Sequence, residues 1–420
     1  MTDDRAIRRA GLVVTAVAGV TFVVLAALLV PWHWLPGGHV RAVPARSVFT
    51  AAEISHDEHV SWLLRLPSWA NLLLVLVVAL ALGLTRWGSR VVAALPGRWW
   101  AKAALGSGVL TAVAVLVQLP LAARMQHVEL DAGLSRQSWS SWGTDQLISF
   151  GVAWVFTAVP VLGLLLLVRR APRTWPAWAA AGAVVLAMAG SFVYPVVVEP
   201  LFNSFHSLPA GQLRSDVFRL AKAEHVQISD VLVADASRRT TTLNAYVSGF
   251  GSTRRVVIYD TVLTSLTTPE IETVVAHELG HAHHDDVLVG TVLGAAGGAA
   301  GVGLLGVLLS SRRLRDRAGI TGPGDPRSVA LLLALVAVGS LLVSPVENTI
   351  SRAVEARADR ASLQVTRDPA TFEAMQRELA LRSLADPTPP RLSQLWFGSH
   401  PTVLQRIGMA RQMSAGISDR

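Results

Sequence analysis

Cysteine is absent from this chain, and lysine occurs only at Lys102 and Lys222. The first absence excludes disulfides, thiolate metal sites and cysteine nucleophiles, and leaves the redox compartment open. The second makes the formal net charge of +8 almost wholly a matter of arginine. Charge of either sign is scarce, at 16% of residues, whereas 51% are hydrophobic. With a mean hydropathy of +0.44, the balance is that of a membrane protein with a smaller water-facing part. In such a protein, basic loops set orientation and touch anionic lipid. No basic helix with interleaved aromatics argues for a nucleic-acid partner, and no internal repeat or low-complexity tract occurs.

What the chain has in abundance is uncharged runs. Arg5, Arg8 and Arg9 precede the first, residues 10–31. It is too long for a secretory signal, no small-residue cleavage site follows cleanly, and it reads as a membrane helix. Further runs cover residues 66–85, 103–123, 146–168, 174–198, 287–311 and 328–346, the last being the shortest, which makes seven in all. Each can cross a hydrocarbon core of about 30 Å at about 1.5 Å per residue. Trp32, Trp34, Trp62, Trp69, Trp99, Trp100, Trp142, Trp175 and Trp178 gather at the run ends, as an interfacial aromatic belt does. Pro120, Pro160 and Pro195 are expected to kink helices or sit near their ends. The glycine-rich stretch 290–306 suits close helix packing, with a flexible gate as the alternative.

The water-compatible stretch lies at 199–286. It opens as a loop, continues as an amphipathic helix from about Ala210, and then shows strand-like runs at 231–235, 243–247 and 255–259, with Gly249, Gly251 and Ser252 as turn residues. A helix should follow, with Thr268 as its cap, Pro269 in its first turn and Glu270 and Glu272 at its dipole-favoured end. Within it stands His277-Glu278-Leu279-Gly280-His281. Residues four apart on a helix share a face, so both imidazoles can hold one metal ion, with Glu278 placed to take a proton from water. Zinc suits such ligands best. The competing reading is a chance pattern on a solvated helix. A third ligand is needed, and Glu355 offers one; Asp359, on the same helix face, can accept the far ring N–H of His277 or His281. Spacing alone leaves an ordinary charged helix equally open there, since Arg352, Arg357 and Arg360 surround these acids.

Three motifs occur together: HELGH at His277–His281, N-x-x-S-R-x-x-E-x-x-A-D at Asn348–Asp359, and HPTVLQRI at His400–Ile407. With EPLFNSF at 199–205, the 243–246 stretch and IYDTVL at 258–263, this combination resembles the Ste24-type CAAX prenyl proteases, membrane members of the M48 metallopeptidases. The likeness covers about 194–409, plus the pattern of spans. It implies His277, His281 and Glu355 as ligands of one zinc ion per chain, and Glu278 as general base. It implies Asp359 as the acid behind a ligand, with Arg406 as its ionic partner. It implies His400 beside the metal, steadying the tetrahedral intermediate or the peptide, and Asn244 and Ala245 on the strand that lines the cleft. His283, His284, Asp285 and Asp286 find no counterpart and read as a solvated helix end.

The expected fold is mainly α: a polytopic α-helical membrane protein of about seven spans with a small α+β zinc metallopeptidase domain. The expected divisions are a five-span region at 1–198, a peptidase segment at 199–286, spans six and seven at 287–346 and a helical tail at 347–420, whose first part continues out of the membrane as a long helix. The expected partners are a peptide or protein substrate at the membrane and the bilayer itself. Three functions are carried: a zinc endopeptidase for membrane-associated or CAAX-like peptides, a quality-control protease of broad specificity, and an inactive membrane scaffold. The intact residues His277, Glu278, His281 and Glu355 argue against the third. Loop arginines concentrate at the N-terminus and after spans two, four and six. That bias argues for a metal domain outside the cytoplasm, and the expected location is the plasma membrane. The eukaryotic relatives of the resembled family work on the cytosolic face, so the two indications point opposite ways; the loop charge is followed here.

Overall fold

The structure, a computed structural model, describes residues 2–32, 40–249 and 251–418. Trp34 lies outside the described residues. Among the described residues, seven helices are long and apolar enough to cross a membrane. They are α1 (Thr2–Leu29), α2 (Ala51–Gly83), and, after the short α3 (Arg86–Ala94), α4 (Trp99–Asp131), α5 (Trp139–Arg170) and α6 (Trp175–Val193). The last two are named below as α10 and α12. Most of their flanks expose leucine and valine outward, such as Val17, Leu28, Leu73, Val155 and Val185, as lipid-facing surfaces do.

Several helices outrun their apolar stretches. α2 begins well before residue 66, because Thr50 and Glu53 form a reciprocal capping box, with the Thr50 N–H donating to the Glu53 carboxylate at 2.8 Å and the Glu53 N–H to Thr50 Oγ1 at 3.2 Å. Its first turns stand clear of the apolar segment and meet the tail, where Arg65 pairs with Asp386 at 2.9 Å. Pro120 and Pro160 lie inside α4 and α5, and α6 loosens into a π-type turn, Tyr194–Val198, that carries Pro195. Trp175 departs from the aromatic belt: it is fully buried against Leu309 and Leu331. Trp32, Trp62, Trp100 and Trp178 are exposed.

The sheet has four strands: β1 (Phe205–Ser207), β2 (Asp230–Ala234), β3 (Ala245–Ser248) and β4 (Arg255–Tyr259), in the order β1-β2-β4-β3. β2 runs parallel to β4, and both outer pairs are antiparallel. The central strands are buried through Val231, Val233, Val256, Val257 and Ile258, so they read as apolar runs rather than alternations. Helices α7 (Gln212–Ala223), α8 (Asp260–Ser265) and α9 (Thr268–His283) complete this unit. Val217, Val275 and Leu279 seal it together with Phe372 and Met409 from the tail.

After α9 come α10 (Asp286–Leu309), the short α11 (Arg312–Ala318) and α12 (Val329–Thr366). α10 packs on α1 through Gly303, where a Cβ would fall 2.6 Å from the Thr15 backbone nitrogen; close packing is therefore the role of that glycine. α12 is a single helix of 38 residues. It crosses the apolar zone and continues outward to carry Glu355 and Asp359. The tail closes with α13 (Pro369–Ser383), α14 (Arg391–Phe397) and α15 (Val403–Ser418).

Candidate metal centre

α9 is launched one residue earlier than the sequence suggests. Thr267, extended at φ −72° and ψ 158°, precedes it, and its N–H donates to the Glu270 carboxylate at 2.8 Å. Val275, Ala276 and Leu279 are fully buried, which fixes the helix rotation and turns His277 and His281 together toward α12. Gly280 sets the distance to that helix. A Cβ there would lie 3.0 Å from Ala361 Cβ and 3.4 Å from Ala358 Cα. Ser362, fully buried, donates to the Thr273 carbonyl at 2.8 Å. Small residues facing a glycine thus let two helix backbones come close enough for Glu355 to reach both imidazoles.

The Nε2 atoms of His277 and His281 are 3.2 Å apart. Glu355 Oε2 stands 3.3 Å from His277 Nε2, and Oε1 3.6 Å from His281 Nε2. The ligand atoms of this triad all lie within 4.8 Å of one another. On the far side of each ring a carboxylate is waiting: Asp359 Oδ1 at 2.9 Å from His277 Nδ1, and Asp286 Oδ2 at 2.9 Å from His281 Nδ1. Carboxylate acceptors place the ring protons on Nδ1, which leaves the Nε2 lone pairs converging on one point. Glu355 Oε2 is buried and makes no hydrogen bond among the described residues. Converging lone pairs and an orphaned buried carboxylate oxygen would repel one another unless a cation sits between them. The residues present therefore fit a metal ion.

Each supporting carboxylate is held in turn. Arg406 Nε donates to Asp359 Oδ2 at 2.8 Å, and its second nitrogen pairs with Oδ1. Asp359 is fully buried. Arg357, from the same helix α12, pairs with Asp286. The sequence reading of residues 283–286 as a solvated helix end is thus corrected at Asp286, whose side chain is 7% exposed. Asp285 adopts the left-handed conformation, φ 53°, and breaks α9 from α10; the break folds Asp286 back onto His281. Its signal in the sequence was an acid just past the motif, at the start of the next apolar run.

Glu278 is half-buried and makes no hydrogen bond among the described residues. Burial raises its carboxyl above the ordinary range, and His277 and His281 pull it back. His400 reaches the same place from the tail. Its Nε2 is 3.3 Å from Glu355 Oε2, its Nδ1 is 2.9 Å from Ser399 Oγ, and its side chain is 57% exposed. The segment that delivers it is tethered to α12: the Asn348 amide donates to the Trp396 carbonyl at 2.6 Å, and Arg352 to the carbonyls of Gln394 at 3.0 Å and Gly398 at 2.6 Å. Ala245 opens β3, an outer strand packed against α9, and Asn244 precedes it with its side chain exposed.

Residues 207–414 match the description Peptidase family M48, and residues 62–204 match CAAX prenyl protease N-terminal, five membrane helices. The uncharacterized metalloprotease YhfN of Bacillus subtilis is 32% identical over 306 residues, 72% of each chain. CAAX prenyl protease 1 of Saccharomyces cerevisiae is 31% identical over 177 residues, 41% of this chain and 39% of that one. The crystal structure of S. mikatae Ste24p shares the fold at a TM-score of 0.78, covering 96% of this chain and 99% of that chain at 19% identity.

Proposed function

The chain belongs to peptidase family M48, as a Ste24-type membrane metallopeptidase, and on that premise we propose that its metal is zinc and that it cuts membrane-associated or CAAX-like peptides. The observation that carries this reading is the triad of His277, His281 and Glu355, with both imidazoles backed by carboxylates. Two neutral imidazoles and one carboxylate make a hydrolytic zinc shell with room left for water. When bound, zinc supplies a Lewis acid that polarises a carbonyl and acidifies water.

The remaining steps fall to the side chains. Glu278, which makes no hydrogen bond among the described residues, takes the proton of the attacking water and hands it to the leaving amine nitrogen. His400 donates a hydrogen bond to the oxygen that gains charge in the transition state. Asp359 and Asp286 hold the imidazoles in one tautomer and one orientation. The outer strand β3, entered through Asn244 and Ala245, offers backbone groups to an extended peptide. The Saccharomyces relative is named a CAAX prenyl protease, and C-terminal peptides of that kind are the first substrates to offer.

The test is metal analysis with peptide cleavage on the purified protein and on Glu278→Gln. The expected result is about one zinc per chain in both, with turnover lost only in the variant. Retained turnover in the variant, or absence of zinc from both, overturns the reading. A panel of prenylated and unprenylated peptides then decides the substrate class.

A further inference from the structure

Away from the metal, at the other end of the membrane helices, α3 and the loop after α11 border an open cavity of about 460 Å³. Arg86, Arg90 and Arg327 line it, together with Ser89, Asp316 and Thr321. α3 is the joint between two spans and is amphipathic in three parts. Gly88, Ser89 and Val92 are buried against the protein. Trp87 and Val91 are exposed, at 63% and 37%, toward the surroundings of the helix bundle. Arg86 and Arg90, four apart and on one face, point into the cavity between these two sides.

The charges there do not cancel. Arg327 is committed to Asp325, with Nε 3.0 Å from both carboxylate oxygens and Nη2 2.6 Å from one. Thr321 is spent on the same carboxylate, through its N–H at 3.0 Å and its hydroxyl at 2.9 Å. Arg86 and Arg90 make no ion pair with any described residue. Like charges at this spacing repel. The acid on the rim, Asp316, is exposed and makes no ion pair among the described residues. It offsets one of the two. The loop is nonetheless held tightly to α3: Gly319 is left-handed at φ +71°, and a Cβ there would fall 2.8 Å from Ser89 Oγ and 3.0 Å from Arg86 Cγ. The cavity is therefore bounded on two sides by packed backbone, not a gap between loose loops.

We propose that this cavity binds the phosphate of an anionic phospholipid headgroup, with Arg86 and Arg90 as its ligands and Trp87 and Val91 beside the glycerol and upper acyl chains. Paired guanidinium groups suit a phosphate's geometry. An exposed tryptophan next to them suits the headgroup level of a bilayer, and basic pockets between membrane helices bind such headgroups. A soluble phosphate would use the same arginines but not the apolar side of α3, which is why the lipid is the occupant assigned.

The test uses the full-length protein in phosphatidylcholine nanodiscs doped with increasing phosphatidylglycerol, read by the midpoint of thermal unfolding. Phosphatidylglycerol is expected to raise the midpoint of the wild type saturably. Arg86→Gln/Arg90→Gln should need about thirtyfold more of it, as the loss of two basic contacts to an anionic lipid implies. Ala93→Glu keeps both arginines, puts a carboxylate on the cavity wall and should lose the response as well. Arg86→Lys/Arg90→Lys should retain part of it. Equal responses in the wild type and the two charge-altering variants overturn the proposal, as does no response in the wild type. An equal shift from inorganic phosphate alone overturns the lipid assignment in favour of a soluble phosphate.

Discussion

His281 Nδ1 lies 2.9 Å from Asp286 Oδ2, across the break between α9 and α10. The other ligand imidazole is arranged in the same way, with Asp359 on His277. Behind each acid stands an arginine, Arg357 behind Asp286 and Arg406 behind Asp359. The two imidazole–carboxylate–arginine chains converge on one side of Glu355 and fix both rings before any metal arrives. Such preorganisation raises ligand basicity and narrows the coordination geometry.

Removing the Asp286 carboxylate should therefore weaken the metal without touching it. In Asp286→Ala, metal affinity is expected to fall about 10- to 100-fold, measured by competition with a chelator of known affinity. The fold should survive, because α9 keeps its buried face. An unchanged affinity would show that Asp286 only closes the helix break.

Asp286 also marks where sequence reading ran out. HELGH declares itself by helical spacing, whereas Glu355 and Asp359 share one face of α12 but are singled out from an ordinary charged helix only by the motif resemblance. Asp286 lies across a left-handed residue at φ 53°, and no helical periodicity carries through such a turn. The three-residue strand β1 is too short to show alternation, so its stretch reads as loop. The outward extension of α2 is polar, and only its capping box, Thr50 with Glu53, signals a helix there. The central strands β2 and β4 were legible because, after Asp230 and Arg255 at their starts, they run apolar and mostly buried.

Asp359 is fully buried and Arg406 is its cation. Truncating the arginine alone leaves a buried charge uncompensated, at a cost of about 3–5 kcal/mol. Arg406→Leu should lower the unfolding midpoint sharply. Adding Asp359→Leu should restore much of that stability while metal affinity stays low, since His277 then lacks its acceptor. If the double variant is no more stable than the single one, the ion pair is not what Arg406 contributes.

Gly280 separates packing from chemistry. A Cβ there meets Ala361 Cβ at 3.0 Å, so Gly280→Ala asks for a shift of only a few tenths of an ångström. The better helix propensity of alanine, worth about 1 kcal/mol, works in its favour. Gly280→Leu must push α12 away from α9, with an overpacking cost of about 1–3 kcal/mol, and carries Glu355 out of reach of the imidazoles. Metal content should be near wild type in the alanine variant and largely lost in the leucine variant. Full metal in the leucine variant would mean that the helix spacing does not set the ligand geometry.

The side of the membrane that bears the site can be read with one label. Arg312, Arg313, Arg315 and Arg317, with Arg86 and Arg90, sit at the ends of the spans remote from the triad. Arginine-rich short loops stay in the cytoplasm, and on that ground we propose that the metal centre and the tail face the far side. Because the chain has no cysteine, Ala415→Cys introduces a single thiol near the end of α15. A membrane-impermeant maleimide should label it in intact cells as fully as after lysis. Labelling that appears only on lysis would put the tail and the triad in the cytoplasm, and would show that loop charge does not set the orientation of this bundle.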